Sequence, residues 1–151
     1  MLFKVLRAYT QTQADQEDLF QEITLQIWRS IPNFQGQSAE STWIYRVALN
    51  TALTWKRKEK KHQQTHESID GVSHILQENS QIKDERLDWL YEQIAQLNAI
   101  DKSLTLLLLD GFSYKEMAAM LGISETNVGV KVHRIKKHLT TQAKKITHYG
   151  I

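Results

Sequence analysis

In the stretch "TWIYRVALNTALTWKRK" (residues 42–58), Trp43, Arg46, Asn50 and Arg57 recur at helical spacing, so a stacking ring, an amide and two guanidinium groups share one side. Unpaired bases and a phosphate backbone require those groups: a π-face, a hydrogen-bonding edge and charge neutralisation. The same pattern also fits a plainer helix whose aromatics are core and whose lysines form a solvated tail. A second cationic face lies in "SETNVGVKVHRIKKHL", where Thr126, Val130, His133, Arg134 and Lys137 fall together with Asn127 and Lys136 at the edges. Groups suited to making or breaking bonds are scarcer. His62 and His66 have the spacing of a metal-binding helix, but "HQQTH" lacks the glutamate of the metalloprotease pattern and borders a polar stretch. There is no glycine-rich phosphate loop, nucleophile elbow or carboxylate pair. The sequence therefore predicts recognition rather than catalysis, with no metal and no cofactor.

Positioning these faces is the work of helices. With one proline, six glycines and no run alternating apolar and polar residues, the dominant period is helical and the fold class is all-α. At residues 113–121, Ser113 and Glu116 form a capping-box pattern, Tyr114, Met117, Ala118 and Leu121 repeat at helical spacing, and Gly122 supplies a stop. Ser124 caps the next helix, whose core stripe is Val128, Val132, Ile135 and Leu139. A short helix, a glycine turn and a helix with a cationic outer face make a helix-turn-helix, because a major groove admits one helix. An ordinary solvated hairpin is the simpler alternative. Two helices precede it, at about 85–97 with the stripe Leu87, Leu90, Tyr91, Ile94 and Leu97, and at 101–109, where "LTLLLLDGF" begins apolar nearly all round and is buried.

In the first half, residues 15–29 carry a core stripe of Leu19, Phe20, Ile23 and Ile27. Asp18, Gln21, Glu22 and Leu25 make a second face, an apolar centre among acids that suits docking to a basic protein surface. Along residues 42–58 the core stripe reads Ile44, Val47, Ala48, Thr51 and Trp55. Between the halves, "HQQTHESIDGVSHILQENSQI" is polar and weakly periodic, a linker with a turn of helix near residues 74–77. The chain thus reads as two small helical domains, 1–62 and 82–151, joined by a polar linker at 63–81. Each is small for a self-sufficient core.

Composition adds limits. A net charge of +2 is too mild to argue for nucleic acid by itself, so the distribution of charge carries that case. The absence of cysteine excludes disulfides and thiolate sites. The N-terminal apolar run is too short for a signal peptide, and no apolar stretch spans a bilayer, so a cytoplasmic protein without membrane insertion is expected.

The stretches "DQEDLFQEITLQIW", "IPNFQGQSAESTWIYRVALNTAL" and "FSYKEMAAMLGISETNVGVKVHRIKKHL" resemble, in order, the two domains of the extracytoplasmic-function group of bacterial RNA polymerase sigma factors, of the sigma-70 family. The resemblance spans nearly all of the chain except the linker. It implies that Asp18, Leu19, Gln21, Glu22 and Leu25 bind core polymerase. It implies that Phe34, Gly36 and Ser38 of the loop, with Asn50, capture a flipped-out base of the promoter's minus-ten element, a step whose unstacking costs a few kcal/mol. Trp43 would lie near the point of strand separation, and Arg46, Lys56 and Arg57 would contact backbone. Ser124, Thr126, Asn127, Val130, Lys131, His133, Arg134 and Lys137 would hold the minus-thirty-five element as duplex. An anti-sigma factor is a common partner in the family.

The chain also departs from the family. Gly129 and Val130 replace residues that are usually polar or basic, costing roughly 1 kcal/mol of helix propensity at the glycine, while Val130 is suited to a thymine methyl. Thr54 stands where many relatives are acidic. Relatives carry further helical turns before the segment that begins here at Met1, so the first domain reads as N-terminally short. A helix-turn-helix regulator with a different sensory half, and a sigma-like protein that binds polymerase or an anti-sigma factor without initiating, are the alternative readings.

Overall fold

The computed structural model describes residues 1–65 and 84–148. The described residues are helical, with the short connections between them, and form two compact units, Met1–Tyr91 and Glu92–Ile151. Most of the polar linker, including the turn expected near residues 74–77, lies outside the described residues. No helix among the described residues is long and apolar enough to cross a membrane.

The first unit is built on three helices: α1 (Leu2–Tyr9), α2 (Gln13–Ser30) and α3 (Glu40–Thr65). Thr10 ends α1, with its backbone N–H and its hydroxyl both donating to Leu6 O, and two residues later Thr12 starts α2 by accepting from the Asp15 N–H. Pro32 sits in a single 3-10 turn, Ile31–Asn33, that closes α2. Val5, Leu6, Ala8 and Tyr9 of α1, Leu19 and Ile23 of α2, and Tyr45, Ala48, Leu49 and Ala52 of α3 form the core.

The buried stripe of α3 differs from the expected one. Ala48 and Thr51 are buried as predicted, but Ile44, Val47 and Trp55 are only half-buried, and Tyr45, Leu49, Ala52 and Leu53 take the interior instead. The reason is tertiary. Because α3 packs against both α1 and α2, its buried sector is wider than, and rotated from, the one-sided stripe a helical wheel suggests. Phe20 is also corrected: it is 46% exposed, since Leu19 and Ile23 alone point α2 inward.

Four helices follow the linker: α4 (Glu85–Ala95), α5 (Ala99–Leu109), α6 (Tyr114–Leu121) and α7 (Glu125–His148). The division between units falls inside α4. Within the first unit, Arg7 donates to Asp88 Oδ1 and its guanidinium lies 4.2 Å from the Tyr91 ring centroid. Leu87, expected in the core, is 45% exposed.

Within the second unit α5 begins at residue 99, two residues earlier than the apolar run suggests, because the Asn98 side chain caps it by accepting from the Asp101 N–H. Leu104, Leu106 and Leu107 of α5 are fully buried with Ile94, Met117, Val128 and Val132. The capping box at Ser113 and Glu116 is present in both directions, and Gly122 ends α6 in the left-handed region at φ 68°. Met120 is buried beside Met117, a core position the spacing of Ala118 and Leu121 had concealed.

Candidate nucleic-acid interface

Along α3 the side chains of Arg46, Asn50, Thr54 and Arg57 are exposed, one helical turn after another. At its start, Trp43 is half-buried because Phe34, from the loop before the helix, packs against it with ring centroids 4.9 Å apart and planes tilted by 43°. That contact anchors the loop to the helix. In the loop, Gly36 takes φ +72°, a conformation side chains rarely adopt, and Ser38 is exposed. Lys56 stands apart from the other cations: its ammonium lies 3.2 Å from Glu59 Oε2, one turn along the same helix.

Asn50 and Thr54 line a groove whose other wall is α2, where Asp15, Asp18 and Glu22 face it. The expected docking face and the expected base-contacting face therefore share one groove, which helical spacing within either segment cannot reveal. A hydrogen bond crosses it, where Trp55 Nε1–H donates to Asp18 Oδ2 over 2.8 Å.

The docking set itself changes in membership. Leu19 is fully buried, so its contribution is to the core and not to a surface contact. Gln21 and Leu25 are exposed and Glu22 half-exposed, as a surface face requires. Sequence reasoning missed Trp28, which is 74% exposed three residues beyond Leu25. Its signal was available: Gln21, Leu25 and Trp28 follow i, i+4, i+7, and the core stripe does not need the ring.

In the second unit Ser124 Oγ accepts from the Asn127 N–H to start α7. Val128, Val132 and Ile135 are buried against α5 and α6, which turns Thr126, Asn127, Val130, His133, Arg134 and Lys137 outward. Lys131 is a correction. Half-buried, it turns its ammonium to within 3.6 Å of Asp101 Oδ1 on α5, and so is drawn from the outer face. Arg134 and His138 flank a shallow groove against Gln96, Leu97, Asn98 and Asp101, which places Arg134 at that same edge of the cationic face.

At the opposite edge, an added Cβ on Gly129 would stand 3.7 Å from Tyr114 Cε2, an ordinary contact. Gly129→Ala should therefore stabilise the second unit by about 0.5–1 kcal/mol, since helix propensity improves with no clash. A thermal melt checks this, and a lowered midpoint would mean the helix is held less regularly than its position implies.

Among the described residues, no three His, Asp or Glu side chains converge to hold a metal ion. The chemistry on offer is stacking, hydrogen bonding and charge neutralisation.

Comparison with known proteins matches two family regions along the chain. The family description "Sigma-70 region 2" matches residues 1–62, and "Sigma-70, region 4" matches residues 87–139. The chain is 28% identical to the ECF RNA polymerase sigma factor SigX of Bacillus subtilis (strain 168), over 91% of this chain and 75% of that protein. It is 27% identical to the ECF RNA polymerase sigma-E factor of Escherichia coli (strain K12), over 82% of this chain and 71% of that one. Two solved structures share the fold. The sigma factor RpoE in complex with the anti-sigma factor NepR from Bartonella quintana aligns with a TM-score of 0.79 at 20% identity, over 95% of this chain and 89% of RpoE. CnrH in complex with the cytosolic domain of CnrY aligns at 0.62 and 17% identity, over 95% of this chain and 80% of CnrH.

Proposed function

Because the chain belongs to the extracytoplasmic-function group of the sigma-70 family, we propose that it directs core RNA polymerase to promoters through a division of labour between its two units. Asp18, Gln21, Glu22 and Leu25, extended by Trp28, dock the first unit on the polymerase. Phe34, Gly36, Ser38, Trp43, Arg46, Asn50 and Arg57 hold the opened minus-ten element. Thr126, Asn127, Val130, His133, Arg134 and Lys137 grip the minus-thirty-five element as duplex, with Ser124 at the helix start. Lys56 and Lys131 support these faces through Glu59 and Asp101.

One observation carries this reading: the two units expose two different polar faces, and the chemistry of one suits unpaired bases while that of the other suits a duplex. An exposed amide on the same helix that anchors a ring-packed loop suits an unpaired base. A capped helix with a polar, cationic outer face suits a major groove. The protein contributes no bond-making chemistry, which the polymerase supplies, and it works in the cytoplasm where polymerase and promoter are. An anti-sigma protein as a further partner is supported by the two fold relatives, both solved with one or with a partner's cytosolic domain.

The test is reconstitution with sigma-free core polymerase and runoff transcription from the host's promoters. Promoter-specific transcripts are expected; absence of core binding would sink the reading, and binding without transcripts would favour a sigma-like protein that does not initiate. Within that assay, Asn50→Ala should slow opening more than it weakens the closed complex. Permanganate reactivity of minus-ten thymines should fall severalfold while closed-complex retention changes little. The contrary result, equal loss of both, would move Asn50 from base capture to general binding.

A further inference from the structure

The geometry points to Val130 and Tyr114 as a pair that reads the 5-methyl group of one thymine in the duplex, an assignment that rests on the minus-thirty-five role proposed above. Val130 sits in the middle of the cationic face, with Thr126 and Asn127 one turn before it and His133 and Arg134 one turn after, and is 46% exposed. An apolar side chain there gives up any hydrogen bond to a base edge. The thymine methyl is the apolar group that a major groove offers in exchange, and it alone separates thymine from uracil.

Gly129 extends that apolar spot. Its backbone is helical and not in the left-handed region, so no turn geometry demands glycine. What glycine leaves is room. Tyr114 Cε2 and Cδ2 lie 3.7 and 3.8 Å from where a Cβ would stand, so alanine fits but a longer side chain leaving the helix in that direction meets the ring. The tyrosine, 38% exposed, thus rests against the bare flank of the helix at Gly129, the residue that precedes Val130. Valine, uncovered helix backbone and the edge of an aromatic ring together make a small apolar strip bordered by cations. A methyl group seated there leaves water, whereas a cytosine or a uracil at the same position brings nothing to fill it.

Holoenzyme assembled from core polymerase and the full chain would first select its preferred minus-thirty-five duplex from a randomised library. Each thymine in that duplex is then replaced singly by uracil, which removes only the methyl. At one position uracil should weaken binding by about fourfold, the worth of burying one methyl-sized group. That ratio should vanish in Val130→Ser and in Val130→Ala, shrink in Tyr114→Ala, and persist in Gly129→Ala. It should also persist in Lys137→Ala, although that variant binds every duplex more weakly. Melting curves of the variants check that each is folded, and Val130→Ala keeps good helix propensity where serine does not. A ratio that survives in both Val130 variants, or a selected duplex with no uracil-sensitive thymine, overturns the assignment and leaves the minus-thirty-five role standing. A holoenzyme that selects no duplex sequence there overturns both.

Discussion

With Arg134 and Lys137 both replaced by alanine, the chain should lose most of its affinity for the minus-thirty-five duplex and keep its affinity for core polymerase. Both side chains are exposed on α7, on the side away from Val128, Val132 and Ile135, so their loss leaves the packing of the second unit untouched. A guanidinium that pairs with a base edge is worth about 1–3 kcal/mol, and a lysine on a phosphate contributes roughly one unit of salt slope. Together they predict a drop of about 10- to 100-fold at moderate salt, with a flatter dependence of binding on salt concentration. Fluorescence anisotropy of a labelled duplex over a salt series measures both quantities, and native gel shift with core polymerase measures the control. If core binding falls as far as duplex binding, the outer face of α7 has been assigned to the wrong partner. Arg134 lies at the edge of the face against Asn98 and Asp101, so its single replacement should change base preference less than that of Val130.

Leu19→Ala should disable the protein by unfolding its first unit, even though the residue stands in the middle of the proposed docking segment. The side chain is fully buried among α1, α2 and α3. Truncating a buried leucine costs about 2–5 kcal/mol, while a whole domain is commonly stable by about 5–15 kcal/mol, and a unit this small sits toward the lower part of that range. A circular-dichroism melt should show the loss directly. Leu25→Ala makes the matched comparison: 41% exposed, it should alter stability by no more than about 0.5 kcal/mol and still weaken binding to core polymerase. A stable Leu19→Ala variant that has lost only polymerase binding would show that the residue reaches the surface in the bound state.

Much of the second unit was legible in the sequence because its signals are local. Ser113 and Glu116 lie three residues apart and satisfy each other's backbone partner, and Gly122 stops α6 through its own conformational freedom. The stripe Val128, Val132, Ile135 needs only the helical period to be recognised, and its burial follows once any apolar element packs on it. The start of α5 was less legible: its cap, Asn98, precedes the apolar run that marks the helix.

The first unit was harder to read for a physical reason. A helical wheel ranks faces of one helix, whereas α3 is held between two neighbours, so Tyr45, Leu49 and Ala52 go inward and Trp55 is left half-buried with its N–H on Asp18. The wheel also treats Phe20 and Leu19 alike as apolar, although only one can point inward when α2 presents a narrow stripe. Ionic detail was equally hidden. Lys131 and Arg134 are both cations in one run, and only the position of Asp101 on α5 separates the lysine engaged inside the unit from the arginine left at the surface.

What the sequence alone determined, then, is what depends on neighbours along the chain: an all-helical composition, the caps and glycine that delimit α6 and begin α7, and the residue types that make each exposed face cationic, acidic or stacking. The tertiary structure decided what depends on neighbours in space. It turned α3 to suit two partners at once, brought Asp18 and Glu22 across a groove from Asn50, and set Tyr114 beside Gly129. Periodicity records which side of a helix is apolar; which neighbour that side meets, and at what rotation, is a property of packing between segments far apart in the chain.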